Sequence, residues 1–106
     1  TLHDATRTAT ASLTNGTPAT LHAGFAGRFL DLVEVTMANN SGVAASVDLY
    51  DDSALTRTYT VPANDTLHVT YHTPVPQGAR GSIWEADLAD ISGTTITVNA
   101  LFLINR

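Results

Sequence analysis

The stretch from Arg28 to Tyr50, RFLDLVEVTMANNSGVAASVDLY, decides the fold. Its first half alternates with period two. Phe29, Val33, Val35 and Met37 fall on one face, interrupted by Asp31, while Leu30 and Leu32 fall on the other. Apolar residues on both faces predict a central strand or one covered on both sides. Asn39-Asn40-Ser41-Gly42 then predicts a hairpin turn, with glycine where a positive φ costs little. In the second half Val43, Ala45, Val47 and Leu49 alternate with Ala44, Ser46, Asp48 and Tyr50, which predicts the return strand.

The same grammar extends in both directions. Downstream, Asp51-Asp52-Ser53 predicts a turn, and Leu55, Tyr59 and Val61 predict an inward face opposite Thr56, Thr58 and Thr60. Pro62-Ala63-Asn64-Asp65 predicts a turn before Leu67, Val69 and Tyr71, again inward. Residues 73–78, TPVPQG, predict a loop of extended character. A strand from Arg80 to Asp87 carries Trp84, and Ser92-Gly93 turns into a last strand, Thr94 to Ile104. The ALFLI end of that strand is apolar on both faces, as in a central strand or a subunit contact. Upstream, Ala9, Ala11 and Leu13 alternate with threonine and serine, Asn15-Gly16 turns, and Ala19 to Ala23 forms a short strand. Helical periodicity is confined to Ala86–Ile91 and stops at Ser92-Gly93. The expected fold is all-β: a single antiparallel β-sandwich or jelly roll of about eight short strands. One domain covers residues 1–106, with residues 1–14 an extended arm or an edge strand.

Composition narrows the function. The net charge is −5 and charged residues make up 14% of the chain, with threonine and serine in their place. Such a surface suits exposed strand faces and also contact cores, which are depleted in charge. The five cations, all arginine, are scattered, so neither nucleic acid nor an anionic membrane is an expected partner. Cysteine is absent, so packing or assembly must supply the stability that disulfides give many small domains. The opening TLHDATRTATA lacks a basic region followed by an apolar one, so no signal peptide is expected.

No constellation of residues nominates a reaction, a cofactor or a metal. His68 and His72 share a strand face, but four strand residues span about 13 Å, too far for one ion. Asp51-Asp52 and Asp87 with Asp90 offer carboxylates without a calcium-loop pattern, and turn aspartates usually cap their own backbone. Glu34 and Glu85 are the only glutamates that could act as a glycosidase pair. No G-x-S-x-G elbow is present. Three N-x-[ST] matches, at Asn15, Asn39 and Asn64, are read as chance in a threonine-rich chain. Trp84, Tyr50 and Tyr71 could form a stacking platform for sugars, against the commoner role of sandwich aromatics as core.

The block VTMANNSGVAASVDLYDDSALTRTYTVPANDTLHVTY, residues 35–71, resembles a pattern in small virion proteins of tailed bacteriophages. The shared features are an N-x-S/T-G turn, V-x-L-Y-D, a Y-x-V-P-A-x-x-T-L strand pair and a final apolar strand, over roughly residues 29–104. The resemblance implies a β-sandwich structural protein that decorates the capsid or sits at the head–tail junction or tail, in a virion assembled in the host cytoplasm. It carries over no functional residue. The expected protein is non-enzymatic. Its partners are itself, as a homo-oligomer with a trimer favoured, and other virion proteins. Leu2, His3, Leu13, Leu101, Phe102 and Leu103 are the expected contact residues. The alternative is a carbohydrate-binding module, lectin-like or receptor-binding, built on Trp84, Tyr50 and Tyr71.

Overall fold

A computed structural model describes residues 6–14, 18–88 and 94–105. Eight strands run in order: β1 (Thr6–Thr14), β2 (Ala19–His22), β3 (Phe29–Asn39), β4 (Ala45–Asp51), β5 (Ala54–Val61), β6 (Asp65–Val75), β7 (Trp84–Leu88) and β8 (Thr95–Asn105). Among the described residues there is no helix. The strands form two four-stranded antiparallel sheets, β1-β8-β3-β6 and β2-β7-β4-β5, stacked face to face as a β-sandwich. The predicted turns at Asn15-Gly16 and Ser92-Gly93 lie outside the described residues.

The chain changes sheet at nearly every connection. Among the described strands only β4 and β5 form an in-sheet hairpin, closed by Asp52 and Ser53 at φ 47° and 71°. Two positive-φ residues match the twist of a two-residue hairpin loop. The Asn39–Gly42 turn is therefore not the expected hairpin but a corner, because β3 and β4 belong to different sheets. Asn39 builds that corner from the inside. Its side-chain amide donates to the Val43 and Val61 carbonyls at 2.8 and 3.3 Å, and its oxygen accepts from the Ser41 amide and hydroxyl. Asn39 is 1% exposed, so those bonds are what makes its burial tolerable. The β5–β6 corner sits beside it. There Asn64, at φ 53°, donates its backbone amide to the Ser41 carbonyl.

A bulge corrects the reading of β3. Leu32 lies opposite Phe102 and Glu34 opposite Leu101, so Val33 has no partner in β8. The extra residue inverts the alternation. Leu30 and Leu32 before it, and Val35, Met37 and Asn39 after it, all face the core. The strand is apolar on both parities but not covered on both sides. The last strand, β8, is central, flanked by β1 and β3, and buries Ile96, Val98, Ala100, Phe102 and Ile104. Burying a side chain such as Phe102 contributes about 2 kcal/mol.

Other strand readings shift locally. Val43 and Leu55, expected inward, are 52% and 59% exposed, because Val43 belongs to the corner and Leu55 flanks the β5 bulge at the hairpin end. β6 continues through Pro74 to Val75, where a loop was expected. Proline is tolerated there because β6 is an edge strand. Residues 80–83 precede β7 rather than form part of it, and Trp84 opens that strand.

Candidate contact surface

Sheet registers define the outer face of β1-β8-β3-β6. One row reads Thr8–Leu101–Glu34–Thr70, and the next reads Thr10–Asn99–Thr36–His68. The face is mostly hydroxyl, with Leu101 and Leu103 half-buried in its middle. Its polar groups bind one another. Thr10 donates to Asn99 Oδ1 at 2.7 Å, and His68 shares hydrogen bonds with Thr36 at 2.6 Å and Thr70 at 3.1 Å. His68 Nε2 also lies 3.6 Å from Glu34 Oε2. A shallow depression of about 480 Å³ runs along Thr8, Thr10, Glu34, Asn99 and Leu101. The face carries little charge, and its half-buried apolar side chains lie at its centre.

The opposite outer face, on β2-β7-β4-β5, is acidic. Asp48 lies directly across from Asp87, and Tyr50 across from Glu85. Thr58 donates to Asp48 Oδ1 at 2.7 Å, whereas Asp87 Oδ1 is buried with no hydrogen-bond partner. A depression of about 330 Å³ is lined by Pro18, Tyr50, Ser53, Glu85 and Asp87. Among the described residues no group of three or more His, Asp or Glu side chains could hold a metal ion. Glu34 and Glu85 lie on the outer faces of different sheets, so the sandwich separates them and they cannot flank one glycosidic bond.

The expected site residues divide. Leu101 and Leu103 reach the outer face of the first sheet. Leu13 and Phe102 do not. Both are 0% exposed and belong to the core, since their strand parity points between the sheets. Leu2 and His3 lie outside the described residues. The sugar platform does not assemble. Trp84 is 0% exposed, its indole N–H donates to the Leu30 carbonyl at 2.7 Å, and its ring packs on Phe102. Tyr50 lies on the acidic outer face. Tyr71 faces between the sheets, where its hydroxyl meets that of Tyr59 at 2.5 Å. Burial, then the bond to Tyr59, pushes the Tyr71 phenol well above its ordinary pKa, and the Arg57 guanidinium over its ring opposes this in part.

Among the described residues three polar side chains are buried without having been expected so: Asn39, read only as a turn residue, Gln77, and Thr94, read only as the start of the last strand. β6 leaves β3 after Val75 pairs with Leu32, so Leu30 lacks a strand on that side. Gln77 replaces the strand: its side-chain oxygen accepts from the Leu30 amide at 2.8 Å, and its NH₂ donates to the Ser82 carbonyl at 2.6 Å. A glutamine between Pro76 and Gly78 gives no sequence signal for that role.

No known family model and no curated protein matches the chain. Solved structures do. One is a chain from the acid-stable capsid of the Helicobacter pylori bacteriophage KHP30, with a TM-score of 0.64 at 13% identity, covering 95% of this chain and 89% of that one. Another comes from the capsid asymmetric unit of cyanophage Pam1, with a TM-score of 0.55 at 10% identity, covering 93% and 83%. At these identities the likeness is one of fold, and it runs the length of both partners.

Proposed function

We propose that the chain is a non-enzymatic structural protein of a phage virion, a capsid-decoration or other head- or tail-associated subunit. The observation that carries this reading is the near-full-length likeness to chains from two phage capsids, in which this fold is almost the entire matched chain. The strand order supports it. Pairing β1 with β8, β2 with β7, β3 with β6 and β4 with β5 is one long hairpin rolled into two sheets, the jelly roll common in viral capsid domains.

The contact surface in this reading is the hydroxyl-rich outer face around Leu101 and Leu103, meeting a copy of the chain or another virion protein. Its test has two parts. The protein should be present in gradient-purified particles of the virus or prophage that encodes it, detected by mass spectrometry. Absence from purified particles overturns the reading. The double substitution Leu101→Lys and Leu103→Lys should remove attachment to those particles without lowering the melting temperature, because both side chains sit beside carboxylates, Glu34 and Asp31, on an outward face. Attachment unchanged by the pair moves the contact elsewhere.

A further inference from the structure

Open sheets end in edge strands, whose unpaired N–H and C=O groups template pairing with other chains. Proteins guard such edges with bulges, proline, charge or short length. Three of the four edges here are guarded. β2 is four residues long and irregular between Thr20 and His22. β5 is interrupted at Thr56, beside Arg57. β6 loses register after Thr70 and carries Pro74.

β1 differs from all three. It pairs with β8 through nine consecutive residue pairs without a shift, from Thr6 opposite Leu103 to Thr14 opposite Thr95. It has no proline, no lysine and no acid, and its one charge, Arg7, sits near one end with its guanidinium over Phe25. Ala11 and Leu13 anchor the strand in the core, so its free edge is held straight. In an antiparallel edge every second residue turns both backbone groups outward, roughly four residues here.

The sequence of β1 nominates the occupant. Read antiparallel against itself about Thr10, TRTATASLT sets Thr6 against Thr14, Thr8 against Ser12, Ala9 against Ala11 and Thr10 against Thr10. Hydroxyls meet hydroxyls on the outer face, a favourable cross-strand pairing, while the inner face sets Ala9 against Ala11 and Arg7, whose guanidinium is held over Phe25, against Leu13. Elsewhere the net charge of −5 sets copies against each other, but β1 itself contributes no acid. We propose that two copies pair β1 to β1, antiparallel about a twofold axis at Thr10, joining their two four-stranded sheets into one of eight. This contact is twofold, where the sequence alone favoured a trimer. It does not depend on the virion role, and that reading stands or falls on particle composition.

The chain has no cysteine, so single cysteines report the register directly. Under mild oxidation Thr10→Cys should give a disulfide-linked dimer as its main product, since the two residues face each other across the axis. Thr8→Cys and Ser12→Cys should each remain uncross-linked alone yet cross-link when mixed, because each faces the other. All three positions are exposed on the edge strand, so circular dichroism of each variant should match the parent protein. In light scattering the unmodified protein should move from one chain mass to two as concentration rises, and Thr10→Lys should hold it at one. A monomer at every concentration, equal cross-linking at positions 8, 10 and 12, or a dimer indifferent to Thr10→Lys overturns the proposal. A β1 edge that instead pairs with a different protein gives the first of these outcomes.

Discussion

The two ends of the sandwich solve one problem in different ways. Wherever a strand leaves its sheet, backbone groups that would have paired are left buried. At the corner end Asn39 satisfies them with local partners, Ser41 and Val43, and with one distant carbonyl, that of Val61. At the opposite end the partners are remote. Leu30 is bonded by Gln77 and Trp84, 47 and 54 residues away, and Gly81 donates to the Arg28 carbonyl. The corner is a self-contained device. The loop end ties β3, β6 and β7 together, so damage there reaches strands of both sheets. The two sets of hydrogen bonds thus differ in structural reach.

The largest test of that contrast is Gly24→Ala, at the loop end. A Cβ at position 24 would lie 1.9 Å from the Gly81 carbonyl oxygen and 2.7 Å from its carbon. The obstacle is backbone, and Gly81 itself sits at φ 76° in the loop that meets Gly24. Relief therefore requires moving the segment that carries Gln77 and leads into Trp84. The expected loss is about 3 kcal/mol or more, read by chemical denaturation. A loss below about 1 kcal/mol would show that this end yields cheaply and would erase the contrast.

Asn39→Ala should come next, at about 2 kcal/mol, since the buried Val61 carbonyl loses this donor and the Ser41 amide and hydroxyl lose their acceptor. The difference in reach makes a further claim. Hydrogen exchange in Asn39→Ala should rise in residues 40–44 and 62–65, with the amides of β7 unchanged, whereas Gly24→Ala should raise exchange in β3 and β7 together. Equal spreading from both substitutions would break the comparison.

These ends also mark where the sequence was legible. Period-two alternation located all eight strands to within a few residues, because a half-buried strand must alternate. The core parity of β8 and the second half of β3 followed directly. Alternation failed where the backbone inserts a residue. The Val33 bulge makes Leu30 and Leu32 share a face with Val35, and no residue type near position 33 announces it. It also could not separate a hairpin from a corner, since Asn-Asn-Ser-Gly suits both and the choice depends on which strands pair. Trp84 is legible only as core or, less commonly, a sugar platform, because an aromatic on a strand is visible but its parity relative to a distant sheet is not; burial in the structure settles it as core. The ALFLI run is legible as apolar on both faces but not as to which face is outward: Leu101, Phe102 and Leu103 are expected together as contacts, and only the register shows Phe102 in the core and Leu101 and Leu103 outside.

The smallest expected effect lies on the long side, where β5 stacks against β6 and belongs to neither end. Tyr59 and Tyr71 close that side through their hydroxyls. Tyr71→Phe removes one hydrogen bond from a half-buried pair, a loss of about 0.5–1 kcal/mol at neutral pH. Its signature is in the pH dependence. The folded phenol holds its proton to higher pH than the unfolded one, which ionises near its ordinary value of 10.0. Above that pH the unfolded state binds fewer protons than the folded state, so stability falls as pH rises. Below it the contribution is complete. Parent and Tyr71→Phe proteins should therefore converge in stability as pH climbs past about 10, since the variant lacks this one source of loss while sharing every other. Parallel curves through that range would mean that the Tyr71 hydroxyl is as well solvated in the fold as in the open chain. The side would then be held by the ring contacts of Tyr59 and Tyr71 alone, and hydrogen bonding would be confined to the two ends.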